Sequence, residues 1–182
     1  MLTVGDKFPE FKKPAVLANQ TFGDITSEDH KKEGKWMVIF WYPKDFTFVC
    51  PTEIVEFNKN HDKFKALDAE LYGASTDTES VHLAWRQNDP KLADLTFPLI
   101  ADTSKSLSEE LGILQPEKVA YRATFIVDPE GTIQWVNVNN DATGRNVAEV
   151  LRALEATQNP GLTGCGWTPG KPTLNTNVTT LN

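Results

Sequence analysis

The spacing of hydrophobic residues changes at Pro43. Before it, residues 36–42 read WMVIFWY, an unbroken apolar run. Such a run predicts a strand buried on both faces, stopped here by the proline. After it, Ile54, Phe57, His61 and Phe64 recur at intervals of three and four, with Glu56, Lys59 and Lys63 between them. That spacing predicts one amphipathic helix starting at 51. Pro51 suits its first turn, and Glu53 suits the positive end of its dipole.

The same reading extends along the chain. ELYGAST (70–76) is a strand and TESVHLAWRQN (78–88) a helix, with Val81, Ala84, Trp85 and Asn88 on one stripe. TFPLIAD (96–102) is a short strand, and SKSLSEELG (104–112) a helix closed by Gly112. In RATFIVDPEGTIQWVNV (122–138), two β-rich runs flank Asp128-Pro129-Glu130-Gly131, which predicts a hairpin. NVAEVLRALEATQ (146–158) puts Val147, Val150, Leu151 and Leu154 on one helical face, with Asn146 and Glu149 at capping-box spacing. The first 30 residues predict loops and a hairpin, and SEDHKKEGK (27–35) a solvated charged segment. Strands alternating with helices, then a hairpin and a last helix, predict an α/β sandwich with a mixed sheet. After Pro160 the composition turns to Gly, Pro, Thr and Asn, which reads as an arm. The domain expectation is therefore 1–158 for the α/β unit and 159–182 for a C-terminal arm.

Composition narrows the function classes. A net charge of −7 over 182 residues argues against nucleic acid and anionic membranes as partners. The apolar run at 36–42 is far shorter than the roughly 20 residues that span a bilayer. The N-terminus carries Asp6 and Lys7 and lacks the apolar core of an export signal, so the expected location is cytoplasmic. His30, His61 and His82 have no paired spacing, so no metal is expected. His61 reads as a half-buried helix residue and His82 as a surface or interface one. Trp36, Trp41, Trp85 and Trp135 read as core or interface residues. Nothing calls for a cofactor.

The chain has two cysteines, Cys50 and Cys165. In a reducing compartment such pairs tend to be transient and catalytic. Cys50 falls where the buried strand gives way to the helix, in PKDFTFVCPTE (43–53). A cysteine in a first helical turn meets unpaired N–H groups and the positive dipole end, both of which favour the thiolate. Thr47 lies one turn upstream and can donate to, or accept from, an oxygen atom in the same pocket. Pro43 adds bulk without an N–H and can keep water from the sulfur. Cleaving an O–O bond asks for a thiolate in line with it and donors for the departing oxygen. The plainer alternative is an inert Cys50 with Thr47 as a helix cap. A disulfide exchanger would need C-x-x-C at this turn, and TFVC has threonine at the first position. Cys165 lies in LTGCGWTPGKP, a stretch that cannot bury much.

PKDFTFVCPTE resembles the Pro-x-x-x-Thr-x-x-Cys signature of typical 2-Cys peroxiredoxins, most nearly the alkyl hydroperoxide reductase group known as AhpC. The resemblance continues through GKWMVIFWYPKDFTFVCPTEI (34–54), HLAWR (82–86), FPLIAD (97–102), VAYRATFIVDPEGTIQ (119–134), GRNVAEVLRAL (144–154) and the cysteine-tryptophan arm. It implies a thioredoxin-like fold: a mixed central sheet flanked by helices, with an N-terminal hairpin extension and a C-terminal arm. It implies that Cys50 is the peroxidatic cysteine, that Thr47 and Pro43 shape its pocket, and that Arg122 stabilises thiolate and peroxide. It makes Glu53 and Arg145 a charge network around Arg122, although Arg145 alone reads almost as well as a surface residue beside a helix start. It makes Cys165 the resolving cysteine, acting from a second copy of the chain through an intersubunit disulfide. The implied substrates are hydrogen peroxide and alkyl hydroperoxides. The implied partners are a protein thiol reductant (a flavoprotein, thioredoxin or a partner thiol reductase) and further copies of the chain, as a homodimer assembling into a ring, expected to be a decamer.

Some features depart from that pattern. The resolving segment is GCGW, with tryptophan two residues after Cys165 rather than four. The family's Gly-Gly-Leu-Gly loop is not evident around 88–95, and nothing after Trp167 matches the Tyr-Phe pair of peroxide-sensitive members. The expectation is an enzyme that resists overoxidation. The rival function classes are a disulfide exchanger and a redox-regulated holdase chaperone.

Overall fold

The structure, a computed structural model, describes residues 1–174. The last eight residues of the predicted arm lie outside the described residues. Seven strands form one mixed sheet: β1 (Lys12–Val16), β2 (Phe22–Thr26), β3 (Trp36–Trp41), β4 (Ala69–Ser75), β5 (Leu99–Ala101), β6 (Arg122–Val127) and β7 (Ile133–Asn139), in the order β2-β1-β5-β4-β3-β6-β7. β3, β4 and β5 are parallel neighbours, while β6, β7 and the β1–β2 hairpin pair antiparallel. Among the described residues six helices complete it: α1 (Glu28–Lys32), α2 (Cys50–Lys59), α3 (His61–Ala66), α4 (Glu79–Asn88), α5 (Ser106–Leu111) and α6 (Val147–Gln158). The mixed sheet with helices and an N-terminal hairpin is the architecture expected from the sequence.

The unbroken apolar run at β3 has the predicted cause. Val38, Phe40 and Tyr42 face one core layer with Ile54, Phe57, Phe64, Val150 and Leu154. Met37, Ile39 and Trp41 face the other with Phe8, Phe11, Leu111 and Phe125. Phe40 stacks on Phe57 at 4.0 Å between centroids, which clamps α2 against the sheet. Truncating either ring to alanine would cost about 3–5 kcal/mol.

Three local expectations are corrected. The helix predicted from 51 onward breaks at Asn60 into α2 and α3, because the Asn60 side chain donates to the Glu56 carbonyl and turns the chain. The charged segment at 27–35 contains α1, whose His30 is buried with Nδ1 2.8 Å from the Lys35 carbonyl. On α4 the buried face is His82, Trp85 and Arg86, and Asn88 is exposed. Polar residues can take that face because each is fully partnered. Arg86 donates to the carbonyls of Leu17, Ala18, Leu92, Ala93 and Leu95.

Candidate active site

Antiparallel pairing of Phe40 with Thr124 brings the C-terminal end of β3 and the start of β6 to one sheet margin. Cys50 and Arg122 meet there. Cys50 is the first residue of α2 and is 1 % exposed. Arg122 opens β6, and its Nη1 donates to Cys50 Sγ at 3.3 Å and to Glu53 Oε2 at 2.7 Å. Its Nε donates to the Asp141 carbonyl at 2.8 Å. Burial works against the charge on Arg122, but the hydrogen bond to Cys50 and the charge of Glu53 overcome it, and its pKa lies above the ordinary arginine value.

Glu53 lies one turn after Cys50 on α2 and is buried between two guanidinium groups. Arg145 reaches Glu53 Oε1 through its backbone N–H and Nε, each at 3.0 Å, and Oε2 through Nη2 at 2.8 Å. Its Nη1 donates to the carbonyls of Trp41 and Ala123. The guanidinium lies over Phe40 and Phe57, 5.1 and 5.8 Å from their centroids. The surface reading of Arg145 is thus corrected: its side chain is 1 % exposed. Burial lowers its pKa, and Glu53 opposes that shift. One carboxylate shared by two bidentate-capable guanidiniums is a geometry that fixes both planes.

Pro43 and Thr47 lie in the loop between β3 and α2, both half-buried. Thr47 Oγ1 donates to the Lys44 carbonyl at 2.9 Å, so its proton is committed and its lone pairs remain available. Between them Phe46 holds a left-handed φ of +55°, a conformation costing roughly 1–2 kcal/mol for a residue with a Cβ. Phe46 and Phe48 are 57 % and 95 % exposed, and the Phe46 ring lies tilted beside Trp85 with 5.9 Å between centroids. The first turn of α2 has no side-chain cap. The Cys50 turn is therefore held at its base by Arg122 and Glu53 and loosely above.

A second buried network braces the same loop, and sequence reasoning missed it. Tyr42 donates to Asp45 Oδ1 at 2.8 Å, and His82 Nδ1 lies 2.6 Å from Asp45 Oδ2. His82 Nε2 lies 3.0 Å from the Ile100 carbonyl. His82 is fully buried, which corrects the surface or interface reading. The three residues lie at sequence positions 42, 45 and 82, and no motif links them.

Cys165 is exposed, as the sequence suggests. It sits in a tight turn closed by the Trp167 N–H donating to the Gly164 carbonyl at 3.1 Å. Gly166, the third residue of that turn, has φ +69°, which explains glycine there. The arm buries more than its composition suggests. Trp167 is 6 % exposed, its carbonyl accepts from Arg152 Nη1, and its Nε1 donates to the Lys171 carbonyl. A groove of about 580 Å³ beside Cys165 is lined by Trp135, Arg152, Ala156 and Thr163. So the structure brings Cys50, Glu53, Arg122 and Arg145 together, with Pro43 and Thr47 on the adjoining loop, and leaves Cys165 in a separate turn. Both cysteines are free. Among the described residues no cluster of His, Cys, Asp and Glu has the arrangement of a metal site, and no helix is long and apolar enough to cross a membrane.

Comparison with known proteins points the same way. A profile described as "AhpC/TSA family" matches residues 4–136. Alkyl hydroperoxide reductase C of Mycolicibacterium smegmatis is 45 % identical, covering 96 % of this chain and 94 % of the relative. A chloroplastic 2-cysteine peroxiredoxin of Chattonella marina var. antiqua is 44 % identical, covering 95 % of this chain and 92 % of the relative. The reduced Plasmodium vivax 2-Cys peroxiredoxin superposes with a TM-score of 0.90 at 34 % identity, covering 95 % of this chain and 93 % of that one. Mycobacterium bovis AhpC gives 0.84 at 43 % identity, covering 92 % and 98 %.

Proposed function

The chain belongs to the AhpC/TSA family, and on that premise we propose that it reduces hydrogen peroxide and alkyl hydroperoxides at Cys50 and resolves through Cys165. It is a thiol-dependent peroxidase of the 2-Cys peroxiredoxin type. The observation that carries the assignment of Cys50 is the 3.3 Å contact between its sulfur and the Arg122 guanidinium, at a first helical turn and away from solvent. A cationic donor at that distance can hold negative charge on an attacking sulfur and on a departing oxygen.

The chemistry follows from these groups. The Cys50 thiolate attacks the terminal oxygen of the hydroperoxide. An S–O bond forms, the O–O bond breaks, and the departing alkoxide takes a proton to leave as alcohol or water. Arg122 holds charge near the breaking bond, and the free lone pairs of Thr47 accept from the hydroperoxide O–H. Pro43 limits water. Glu53 and Arg145 fix the guanidinium so that it needs no reorganisation as charge moves. The Cys165 thiol then attacks the sulfenic sulfur, forming the disulfide and releasing water. Two thiols of a protein reductant restore both cysteines by exchange. Cys50 is buried and Cys165 exposed, so the Cys50 turn has to open for the two sulfurs to approach within bonding reach. The positive φ of Phe46 and the uncapped first turn of α2 support such opening.

The resolving thiol belongs to a second copy in this reading. β7 pairs with β6 on one side; on the other, Ile133 bonds Gly5 and Asp6, and residues 134–139 present an edge that suits antiparallel addition of the same strand. Assembly of the dimers into a ring, a decamer, is the expectation carried over from the resemblance, and a cytoplasmic location is part of the same proposal. The reductant is a flavoprotein, thioredoxin or a partner thiol reductase. Residues 1–158 form the peroxidase unit and 159–182 the resolving arm.

The decisive assay follows peroxide consumption with a dithiol reductant in the wild type and in Cys50→Ser. Turnover in the first and none in the second is expected. Equal rates would remove Cys50 from the reaction, and no turnover in either would favour a holdase.

A further inference from the structure

From a contact chain outside the residues assigned above, we propose that Gln115 and the Asp141 carboxylate are positioning residues for Arg122. The inference rests on the peroxidase reading. Of the groups that orient the Arg122 guanidinium, Glu53 acts from α2, and the main-chain carbonyl of Asp141 takes Nε at 2.8 Å. That carbonyl belongs to an exposed loop, residues 140–144, and a loop carbonyl is only as well aimed as the loop is held. The loop is fastened toward the sheet by the Asn139 side chain, which donates to the carbonyls of Thr143 and Gly144. At Asp141 itself it is fastened from elsewhere. The Gln115 side-chain N–H group donates to Asp141 Oδ1 at 2.8 Å and to the Ala120 carbonyl at 3.2 Å.

Both partners of that nitrogen are acceptors, which fixes the orientation of the amide. Gln115 is in turn rigid: it is 7 % exposed, its N–H donates to the Val119 carbonyl, and its carbonyl accepts from Lys118 N–H. The path runs from a closed turn at 115–119, through an amide and a carboxylate, to the carbonyl on Arg122 Nε. Glu53 and Asp141 together determine the plane of the guanidinium, so that Nη1 points at Cys50 Sγ. Releasing the Asp141 end frees the plane to tilt about the Glu53 contact and weakens the aim at sulfur and peroxide.

The test is a single-turnover measurement of Cys50 oxidation by hydrogen peroxide in the full-length protein, with thermal melting and the alkylation rate of Cys165 recorded alongside. Gln115→Met keeps the volume and loses the donor; Asp141→Ala approaches the same bond from the exposed side and guards against misfolding of the first variant. Each should slow Cys50 oxidation by roughly tenfold, as expected for a small misplacement of a catalytic group, while melting and Cys165 alkylation stay near wild type. The double variant should be no slower than the slower single one. Asp141→Asn, which keeps an acceptor oxygen for Gln115, should recover most of the rate lost in Asp141→Ala. Wild-type rates in both Gln115→Met and Asp141→Ala, or additive losses in the double variant, would overturn the proposal. A wild type that does not react with peroxide at all would instead overturn the underlying peroxidase reading.

Discussion

Cys50 and Glu53, one helical turn apart on α2, share a single nitrogen of Arg122: Nη1 lies 3.3 Å from the sulfur and 2.7 Å from the carboxylate. The carboxylate anchors the guanidinium and the sulfur uses it. Replacing Arg122 therefore removes more than a charge. Arg122→Ala should slow the reaction of Cys50 with peroxide by roughly 10²–10³, the usual loss for a preorganised donor at developing charge. Arg122→Lys should recover only a small part, because an ammonium cannot reach Cys50, Glu53 and the Asp141 carbonyl from one plane. Stopped-flow tryptophan fluorescence on the reduced enzyme reads this directly. A lysine variant at full speed would mean that charge alone matters.

Glu53 neutralises two buried cations, and its loss should be felt as instability before it is felt as chemistry. In Glu53→Gln, Arg145 stays buried against Phe40 and Phe57 without its counter-charge. Breaking such a pair from one side costs about 3–5 kcal/mol. Urea unfolding should show a loss of stability of that size, read as a lowered midpoint at an unchanged slope. A variant as stable as wild type would mean that water or another anion compensates Arg145.

The buried pair under the loop predicts a pH dependence of stability. Burial disfavours the charge on His82, yet the hydrogen bond and charge of Asp45 overcome it, and its pKa lies above the ordinary histidine value. Burial also raises the Asp45 pKa, against the pull of His82. Both His82 ring nitrogens face acceptors, Asp45 and the Ile100 carbonyl, so the protonated ring is the form the geometry suits. A raised folded-state pKa stabilises fully below the unfolded value of about 6.5, and the contribution fades as pH rises through the folded value. The melting-temperature gap between wild type and His82→Gln should be widest at mildly acidic pH and narrow toward alkaline pH. A gap that grows with pH would mean that the neutral ring is the stabilising form.

How much of this can be read from the residues depends on what carries the signal. The apolar run at β3 and the 3.6-residue spacing after it are local, and both mark the place where Cys50 lies. Asn146 accepts from the Glu149 N–H as its spacing suggests, but the Glu149 carboxylate turns to Arg152, so the reciprocal half of the capping box is absent. The buried face of α4 is hidden from the sequence because His82 and Arg86 look like solvent residues until the carbonyls that receive them are known. Arg145 is ambiguous for the same reason, since its aromatic bed and its carboxylate come from β3 and α2. The Asp141 carbonyl has no sequence signature, because every residue has one.

The resolving role of Cys165 is open to a simple test. Oxidised wild-type protein should run as a covalent dimer on non-reducing electrophoresis, and Cys165→Ser should run as a monomer while still consuming one equivalent of peroxide. A covalent dimer persisting in that variant would mean that Cys50 pairs with its own copy in a second chain.

The burial of Trp167 predicts a control on how quickly that disulfide forms. It anchors the Cys165 turn through the Arg152 contact to its carbonyl, its Nε1 bond to Lys171 and its own burial. Trp167→Ala removes the buried ring and its Nε1 bond while the main-chain contacts to Arg152 and Gly164 remain; the Gly164–Gly166 segment loosens, and the thiol is expected to spend less time where the sulfenic acid at Cys50 can find it. Disulfide formation slows, and the sulfenic acid remains exposed to a second peroxide for longer. Mass spectrometry after repeated turnover should show sulfinic acid at Cys50 accumulating several-fold faster in Trp167→Ala than in wild type, while the first oxidation step keeps its rate because Arg122 is untouched. Equal sulfinic acid in both would mean that the arm reaches Cys50 without its tryptophan anchor.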